Sequence, residues 1–512
     1  MGRVSATPGT IRDMRAALLA SAVLATPVVI TPAVLATPVV ITSAVITPAA
    51  VIPAAAAPAA LTAPAVSGRA CSGVPSDFDG DGRADLAIAA PYATVSGHAR
   101  AGSVTVLYGM RAERRLTQDS PGVPGEAEAG DAFGAAVATG DFDGDDCADL
   151  AVGVSEEDRP GPGADGKGVV QLFRGSPDGL RPGKMIDAGD LERGRGPDRF
   201  GAALAAGDLD GNGDDELVIG VPGLGGGGVG IYGYRGRAPY VITQDSGWVD
   251  QPERKTDQFG AVVATGDFDG DGRAEIAVGA PADTVLKNGQ GSVTVLDVRR
   301  RKAVQLTQDS PWITGRAEAW DLFGAALAAG DFNADGRADL AIGVPGEGLT
   351  ANQRAMDYGD GTVVVVYGAR GGLRTASSEA WSQRGLKGRP HYADRFGAAL
   401  AAGDFNGDGD DELAIGVPGE NAVQVLAGTR SGGLTKRNNL LITGRGGDFG
   451  SALAAVPGRD LVVAAPGLGR LTLLRGSLRK GAHPGLRPAT ARTFATAAGD
   501  TLFGYAITRA GS

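Results

Sequence analysis

The sequence predicts an all-β fold, a seven-bladed β-propeller with four-stranded blades, and three observations carry that prediction. A Phe-Gly pair recurs seven times, at Phe133, Phe200, Phe259, Phe323, Phe396, Phe449 and Phe503. A nine-residue acidic loop recurs six times, beginning at Asp77, Asp141, Asp208, Asp267, Asp331 and Asp404. The first loop has no Phe-Gly before it and the last Phe-Gly has no loop after it, so these two orphans complete one unit. A C-terminal strand that completes the N-terminal blade closes a ring and leaves no free radial edge.

Within each unit the runs read as four strands. An FGAALAAGD-type segment comes first and the acidic loop follows. The second strand is apolar and rich in small residues, as in LAIAAP at 86–91, LVIGVP at 217–222 and IAVGAP at 276–281. Such runs suit a strand packed on both faces, with small side chains letting neighbouring blades approach. VTVLYG at 104–109 and TVVVVYG at 362–368 supply the third strand, and the runs ending LTQDS at 116–120 and 306–310 the fourth. Seven units over residues 71–512 average about 63 residues, against roughly 40–45 for a WD-type blade, and the excess is assigned to connecting loops. The loops at 91–102, 155–168, 281–291 and 345–361 vary most, and specificity is expected there. Twelve of the fourteen Phe occupy repeat positions, seven in Phe-Gly pairs and five as the second residue of an acidic loop, which predicts packing between blades and not a binding stripe.

Residues 1–70 read as a separate region. Arg3, Arg12 and Arg15 precede an apolar stretch from Ala16 to Leu24, the charge order of a secretory signal. An Ala/Pro-rich stretch follows, in which Pro27, Pro32, Pro38 and Pro48 would interrupt a membrane-spanning helix. The expected organisation is a signal peptide plus low-complexity linker over 1–70 and the propeller over 71–512, with the chain secreted or on the cell surface and no obligate membrane span. Only two cysteines are present, Cys71 and Cys147, enough for one bridge in an exported chain. We hypothesise that they pair and pin the N-terminus to the ring.

The net charge of −11 and the lack of a long basic tract argue against a nucleic-acid partner. Much of the acidity lies in the loops, whose composition is that of a hard-cation site. Ca²⁺ takes six to eight oxygens, and acids at positions 1, 3, 5 and 9 supply them while position 7 offers a carbonyl. The predicted ligands are Asp77, Asp79, Asp81 and Asp85; Asp141, Asp143, Asp145 and Asp149; and Asp208, Asp210, Asn212 and Glu216. The second half of the chain adds Asp267, Asp269, Asp271 and Glu275; Asp331, Asn333, Asp335 and Asp339; and Asp404, Asn406, Asp408 and Glu412. About six Ca²⁺ are expected, with the Asn-bearing loops weaker than the others. An EF-hand is excluded because its bidentate Glu at position 12 is replaced here by Ile88, Val152 or Val278. After Phe449 the sequence AAVPGRD stands where a loop should be, and no metal is expected in that blade.

The Phe-Gly pair, the DxDxDG loop and the Gly-Ala-Pro or Gly-Val-Pro tripeptide together resemble FG-GAP repeats, so the chain is similar to the N-terminal propeller of integrin α subunits. That resemblance implies seven blades, calcium in the hairpin joining the first two strands of some blades, and ligands on the opposite face. The chain departs from an integrin in showing no leg domains and no inserted ligand-binding domain. The expected function is an extracellular calcium-binding module for protein recognition or cell adhesion, working as a monomer on an extracellular protein or glycan. Two alternatives stand beside it. A lectin-like propeller could use Trp248, Trp312, Trp320 and Trp381, unless these pack between blades. A calcium-dependent hydrolase is disfavoured because His98, His391 and His483 are scattered and no GxSxG or HExxH motif is present, so no catalytic residue is assigned.

Overall fold

The computed structural model describes residues 71–507 except 72, 159–165, 188–197, 234–239, 349–358, 480, 482 and 496–502. The expected signal and linker at 1–70 lie outside the described residues. Among the described residues, no helix is long and apolar enough to cross a membrane.

Seven antiparallel sheets follow one another along the chain. Blade 2 is built from Phe133–Gly140, Asp149–Val154, Val169–Arg174 and Arg181–Asp187, and blade 4 from Val262–Gly266, Glu275–Ala280, Ser292–Asp297 and Lys302–Leu306. Blades 3, 5, 6 and 7 repeat the four-stranded meander, ending with Arg487–Ala495. Blade 1 has three strands of its own, Leu86–Ala90, Ser103–Tyr108 and Ala112–Leu116. The C-terminal segment supplies its fourth: Ile88 pairs antiparallel with Ile507, Ala89 N donates to Ala506 O at 2.9 Å, and Gly504 N donates to Ala89 O at 2.9 Å. The ring is latched as the two orphan motifs require.

Second strands such as Asp339–Val344 and Glu275–Ala280 are buried along their whole length, because each blade is covered on both faces by its neighbours. The core is therefore a series of wedges. One joins blades 4 and 5 through Phe268, Leu306, Phe323, Leu340 and Val364, and another joins blades 5 and 6 through Phe332, Val363, Phe396 and Leu413. A wedge of Leu86, Ile88, Val462, Leu471 and Phe503 joins blade 7 to blade 1 across the latch. Eleven of the twelve repeat-position Phe are buried and Phe142 is half-buried, as core packing demands.

Sequence and structure differ at the fourth strand. Strands Ala112–Leu116 and Lys302–Leu306 end before the TQDS segments, which form turns: Thr117 N donates to Ser120 Oγ at 2.9 Å and Thr307 N to Ser310 Oγ at 3.1 Å. The Gln of each turn then reaches into the next blade, with Gln118 Nε2 on Glu157 Oε2 at 2.7 Å and Gln308 Nε2 on Glu347 Oε2 at 2.6 Å. Thr and Ser hydroxyls satisfy the backbone of a turn locally, and this competes with extending the strand.

Inner strands of Ala, Val and Gly surround an axial cavity of about 1300 Å³. Its wall carries Ala138, Ala205, Ala264 and Ala402, and near the acidic loops it carries Asp208, Asp267, Asp331 and Asp404 with Arg273, Arg337 and Arg459.

Candidate metal centre

The second to sixth acidic loops each join the first two strands of their blade, the second running between Phe133–Gly140 and Asp149–Val154, while the first loop leads directly into Leu86–Ala90. The loop is tight because its first Asp folds the backbone onto itself. Asp141 Oδ1 accepts from Gly144 N at 2.7 Å and Asp145 N at 3.2 Å, and Oδ2 accepts from Asp146 N at 2.9 Å. Asp208, Asp267 and Asp404 make the same three bonds. Gly at the sixth position takes positive φ, +81° in both Gly82 and Gly272, where an L side chain would be strained.

This turn brings the predicted residues together. Single oxygens of Asp77, Asp79 and Asp85, of Asp141, Asp143 and Asp149, of Asp208, Asp210 and Glu216, and of Asp267, Asp269 and Asp271 each lie within 4.8 Å of one another. The fifth and sixth loops share the fold of the first four: Asp335 N and Gly336 N donate to Asp331, and Asp408 N donates to Asn406 Oδ1 at 2.8 Å. Asn333 and Asn406 turn inward, Asn333 Nδ2 lying 3.3 Å from Asp339 Oδ1 and Asn406 Nδ2 2.6 Å from Glu412 Oε1. Asn212 Oδ1 accepts from Asp214 N at 2.8 Å, and Asp81 and Asp145 accept from the residue two ahead in the same way.

The ninth residue has a second task that the sequence did not disclose. Asp339 Oδ2 accepts from Phe332 N at 2.9 Å, and its Oδ1 accepts from Gly368 N at 2.8 Å, at the end of the third strand. Asp85 and Asp149 make the same pair of bonds, so this acid clamps three segments of one blade. Blade 7 separates the two roles. Its first two strands are joined by a short turn over 457–459 with no acidic loop, yet Asp460, which opens the second strand as Asp149 and Asp339 do, still accepts from Gly476 N at 3.1 Å.

Burial dominates the electrostatics of these acids. It pushes Asp85, Glu275 and Asp339 up to about 8, Asp149 and Glu216 to about 7, and Glu412 to about 9. Burial, and then the neighbouring carboxylates Asp81 and Asp145, raise Asp79 and Asp143. Acids held this way favour their neutral forms until a cation joins them. The residues fit a hard divalent cation: the donors are carboxylate and amide oxygens, and Asp271 Oδ1 is buried inside its loop with no hydrogen-bond partner.

Arginines reach some of these acids. Arg174 Nη1 lies 3.0 Å from Asp143 Oδ2, and Arg337 Nη1 lies 3.0 Å from Asp335 Oδ2. In the fourth loop Arg300 Nη2 donates to Asp271 Oδ2 at 2.7 Å, and its Nη1 donates to Asp269 Oδ2.

Cys71 is bonded to Cys147, which fixes the chain's entry to the second loop. Cys147 holds the seventh position, where only a backbone carbonyl is asked of the residue, so its side chain is free to make the bridge. Gly73 N adds a bond to Asp146 O at 3.1 Å.

On the opposite side of the blades an Asp two residues before Phe-Gly recurs at Asp131, Asp198, Asp257, Asp321 and Asp394, a period that was visible in the sequence. Asp257 accepts from Arg254 N at 2.8 Å, and Asp198 takes Lys167 Nζ at 2.9 Å. His391 Nδ1 lies 2.9 Å from Glu420 Oε1 and 3.6 Å from Asp394 Oδ2. Of the four Trp, Trp248 and Trp381 pack against the cores, Trp320 lies over Gly289, and Trp312 is 41% exposed.

Comparison with known proteins matches the FG-GAP repeat family at residues 72–107, 133–173, 200–234, 259–296, 323–366 and 396–433. The blade without an acidic loop falls outside these segments. Integrin alpha pat-2 of Caenorhabditis briggsae is 32% identical over 189 residues, covering 34% of this chain and 14% of its own length. Integrin alpha-8 of Mus musculus is 30% identical over 233 residues, covering 44% and 20%. The chain thus spans a fifth or less of these relatives. Among solved structures, a periplasmic gluconolactonase of Pseudomonas aeruginosa aligns over 81% of this chain and 99% of its own at 15% identity and a TM-score of 0.42.

Proposed function

Because this chain is an FG-GAP repeat protein, we propose that it is an extracellular, calcium-loaded recognition module that binds a protein partner through the face opposite the acidic hairpins. One observation carries the reading: convergent carboxylates are gathered in the hairpins at one end of the blades, while the longest connections, from the fourth strand of one blade to the first of the next, lie at the other together with those between second and third strands. The ions would rigidify the hairpins, and the variable loops would supply specificity. The integrin relatives support recognition as the role, and the Cys71–Cys147 bond suits an oxidising compartment. We propose further that about six ions bind, through the residues named at positions 1, 3, 5 and 9 of the loops, and that residues 71–512 form the propeller and 1–70 a signal and linker.

A glycan partner has one observation in its favour, the exposed ring of Trp312. The test is binding of the calcium-loaded chain to immobilised extracellular matrix proteins and to a glycan array, repeated in chelator, with bound metal quantified. Calcium-dependent capture by a protein supports the reading. Capture by glycans alone would replace it with the lectin, and a chain that holds no metal would remove it.

A further inference from the structure

The fourth loop, DFDGDGRAE from Asp267, has acids at all four ligand positions and on composition should hold calcium as tightly as any loop in the chain. The structure places three guanidiniums against it. Arg300 lies in the turn between Ser292–Asp297 and Lys302–Leu306, oriented by its own N–H on Asp297 Oδ1 at 2.7 Å and by Nη1 on Asp297 Oδ2 at 2.8 Å. From there it spans the outer oxygens of Asp269 at 2.5 Å and Asp271 at 2.7 Å. Arg299 Nη2 stands 3.2 Å and Arg273 Nη1 3.8 Å from the same Asp271 oxygen. Asp269 Oδ1 is taken by Asp271 N at 3.1 Å, whereas Asp271 Oδ1 is buried without a partner. The inner side of the site is thus ready for a cation while the outer side already holds positive charge.

A divalent ion entering this loop meets repulsion from Arg300 through only one layer of carboxylate. A unit charge about 5 Å from Ca²⁺ in largely aqueous surroundings changes its binding on the order of tenfold. We infer that Arg300 is a built-in competitor that makes the fourth loop on the order of tenfold weaker than the first loop despite its four acids. The inference rests on the acidic loops being calcium sites. It adds blade 4 to the loops that respond to calcium at higher concentration, beside the Asn-bearing ones.

The experiment is calcium titration of the full-length chain by calorimetry and equilibrium dialysis, comparing wild type with Arg300→Gln, Arg300→Lys and the double variant Asp267→Asn/Arg300→Gln. Melting in chelator is recorded for each, to show that all are folded. Wild type is expected to show a step about tenfold weaker than its tightest one. Arg300→Gln should tighten that step about tenfold and enlarge the calcium-induced rise in melting temperature, Arg300→Lys should lie between, and the double variant should lose the gain. An unchanged or weakened step in Arg300→Gln overturns the inference while leaving the loops as calcium sites. Calcium uptake by neither protein overturns the reading of the loops and the inference with it.

Discussion

The carbonyl oxygen of Gly260 in blade 4 occupies the place where a Cβ on Gly220 of blade 3 would stand. Gly260 itself has φ +88° and donates its N–H to Gly279 O within its own blade at 3.1 Å. The glycine of the Phe-Gly pair and the glycine of the Gly-Val-Pro or Gly-Ala-Pro tripeptide are therefore one device, which joins two strands of a blade and lets the next blade close on it. A methyl group at 220 meets backbone, which cannot swing away. Gly220→Ala should cost about 1–3 kcal/mol of stability, as overpacking does. Gly247→Ala, with nothing within 4 Å and no positive φ, should stay within about 0.5 kcal/mol. Denaturant unfolding of the two variants checks this, and equal effects would refute it.

Reduction of Cys71–Cys147 should be felt in two places. The bond closes a span of 76 residues, and its loss should cost about 2–4 kcal/mol. Cys147 lies inside the second loop, so the Cys71→Ser/Cys147→Ser variant should also weaken one calcium step and leave the others as they are. Calorimetry at matched temperature would show it, and a uniform change in every step would argue against a local tether.

The ring closure was legible before any coordinates, because an unpaired loop at one end and an unpaired Phe-Gly at the other have only one joint solution. The convergence of acids within a loop follows from its spacing, since a nine-residue turn has few ways to point them: positions 1, 3 and 9 meet in the first three loops, and positions 1, 3 and 5 in the fourth. What the sequence hid was partnership over distance. Arg300 lies 29 residues from Asp271 and Gly368 lies 29 from Asp339, and neither pairing leaves a pattern in a single chain. The TQDS segments misled for a local reason: they follow apolar strand residues, but their hydroxyls bond their own backbone and stop the strand. The Asp two residues before five of the seven Phe-Gly pairs is equally periodic in the sequence.

Acidity should stabilise the metal-free protein relative to neutral pH. Burial raises Asp85, Glu275 and Asp339 to about 8 and Glu412 to about 9, whereas in the unfolded chain such groups titrate near about 4. The unfolded state therefore releases these protons first. Their contribution to stability is fully present below about pH 4 and is lost as the pH rises through about 8–9. In chelator the melting temperature should fall between pH 5 and pH 8. With saturating calcium the same acids are held ionised, and the trend should reverse, stability declining on acidification. Melting curves at several pH values with and without calcium test both signs, and parallel curves would show that these acids do not meet the ion.

Asp460 allows the clamp and the cation site to be taken apart. Asp339 serves its blade through Phe332 N and Gly368 N and also lies where a cation would bind, so changing it mixes two effects. Asp460 keeps the bond to Gly476 N in a blade with no acidic loop, and Arg475 Nη1 lies 3.5 Å from its other oxygen. Asp460→Ala should remove about 1 kcal/mol, the cost of leaving a half-buried N–H without its charged acceptor, and leave the number of bound calcium ions unchanged. Asp267→Asn should remove one ion and cost about 0.5–1.5 kcal/mol in chelator, because the amide oxygen can keep Gly270 N and Asp271 N while Gly272 N loses its acceptor. Metal quantification and denaturant unfolding on both variants decide the matter. A calcium ion lost with Asp460 would mean that blade 7 holds a site its sequence does not declare.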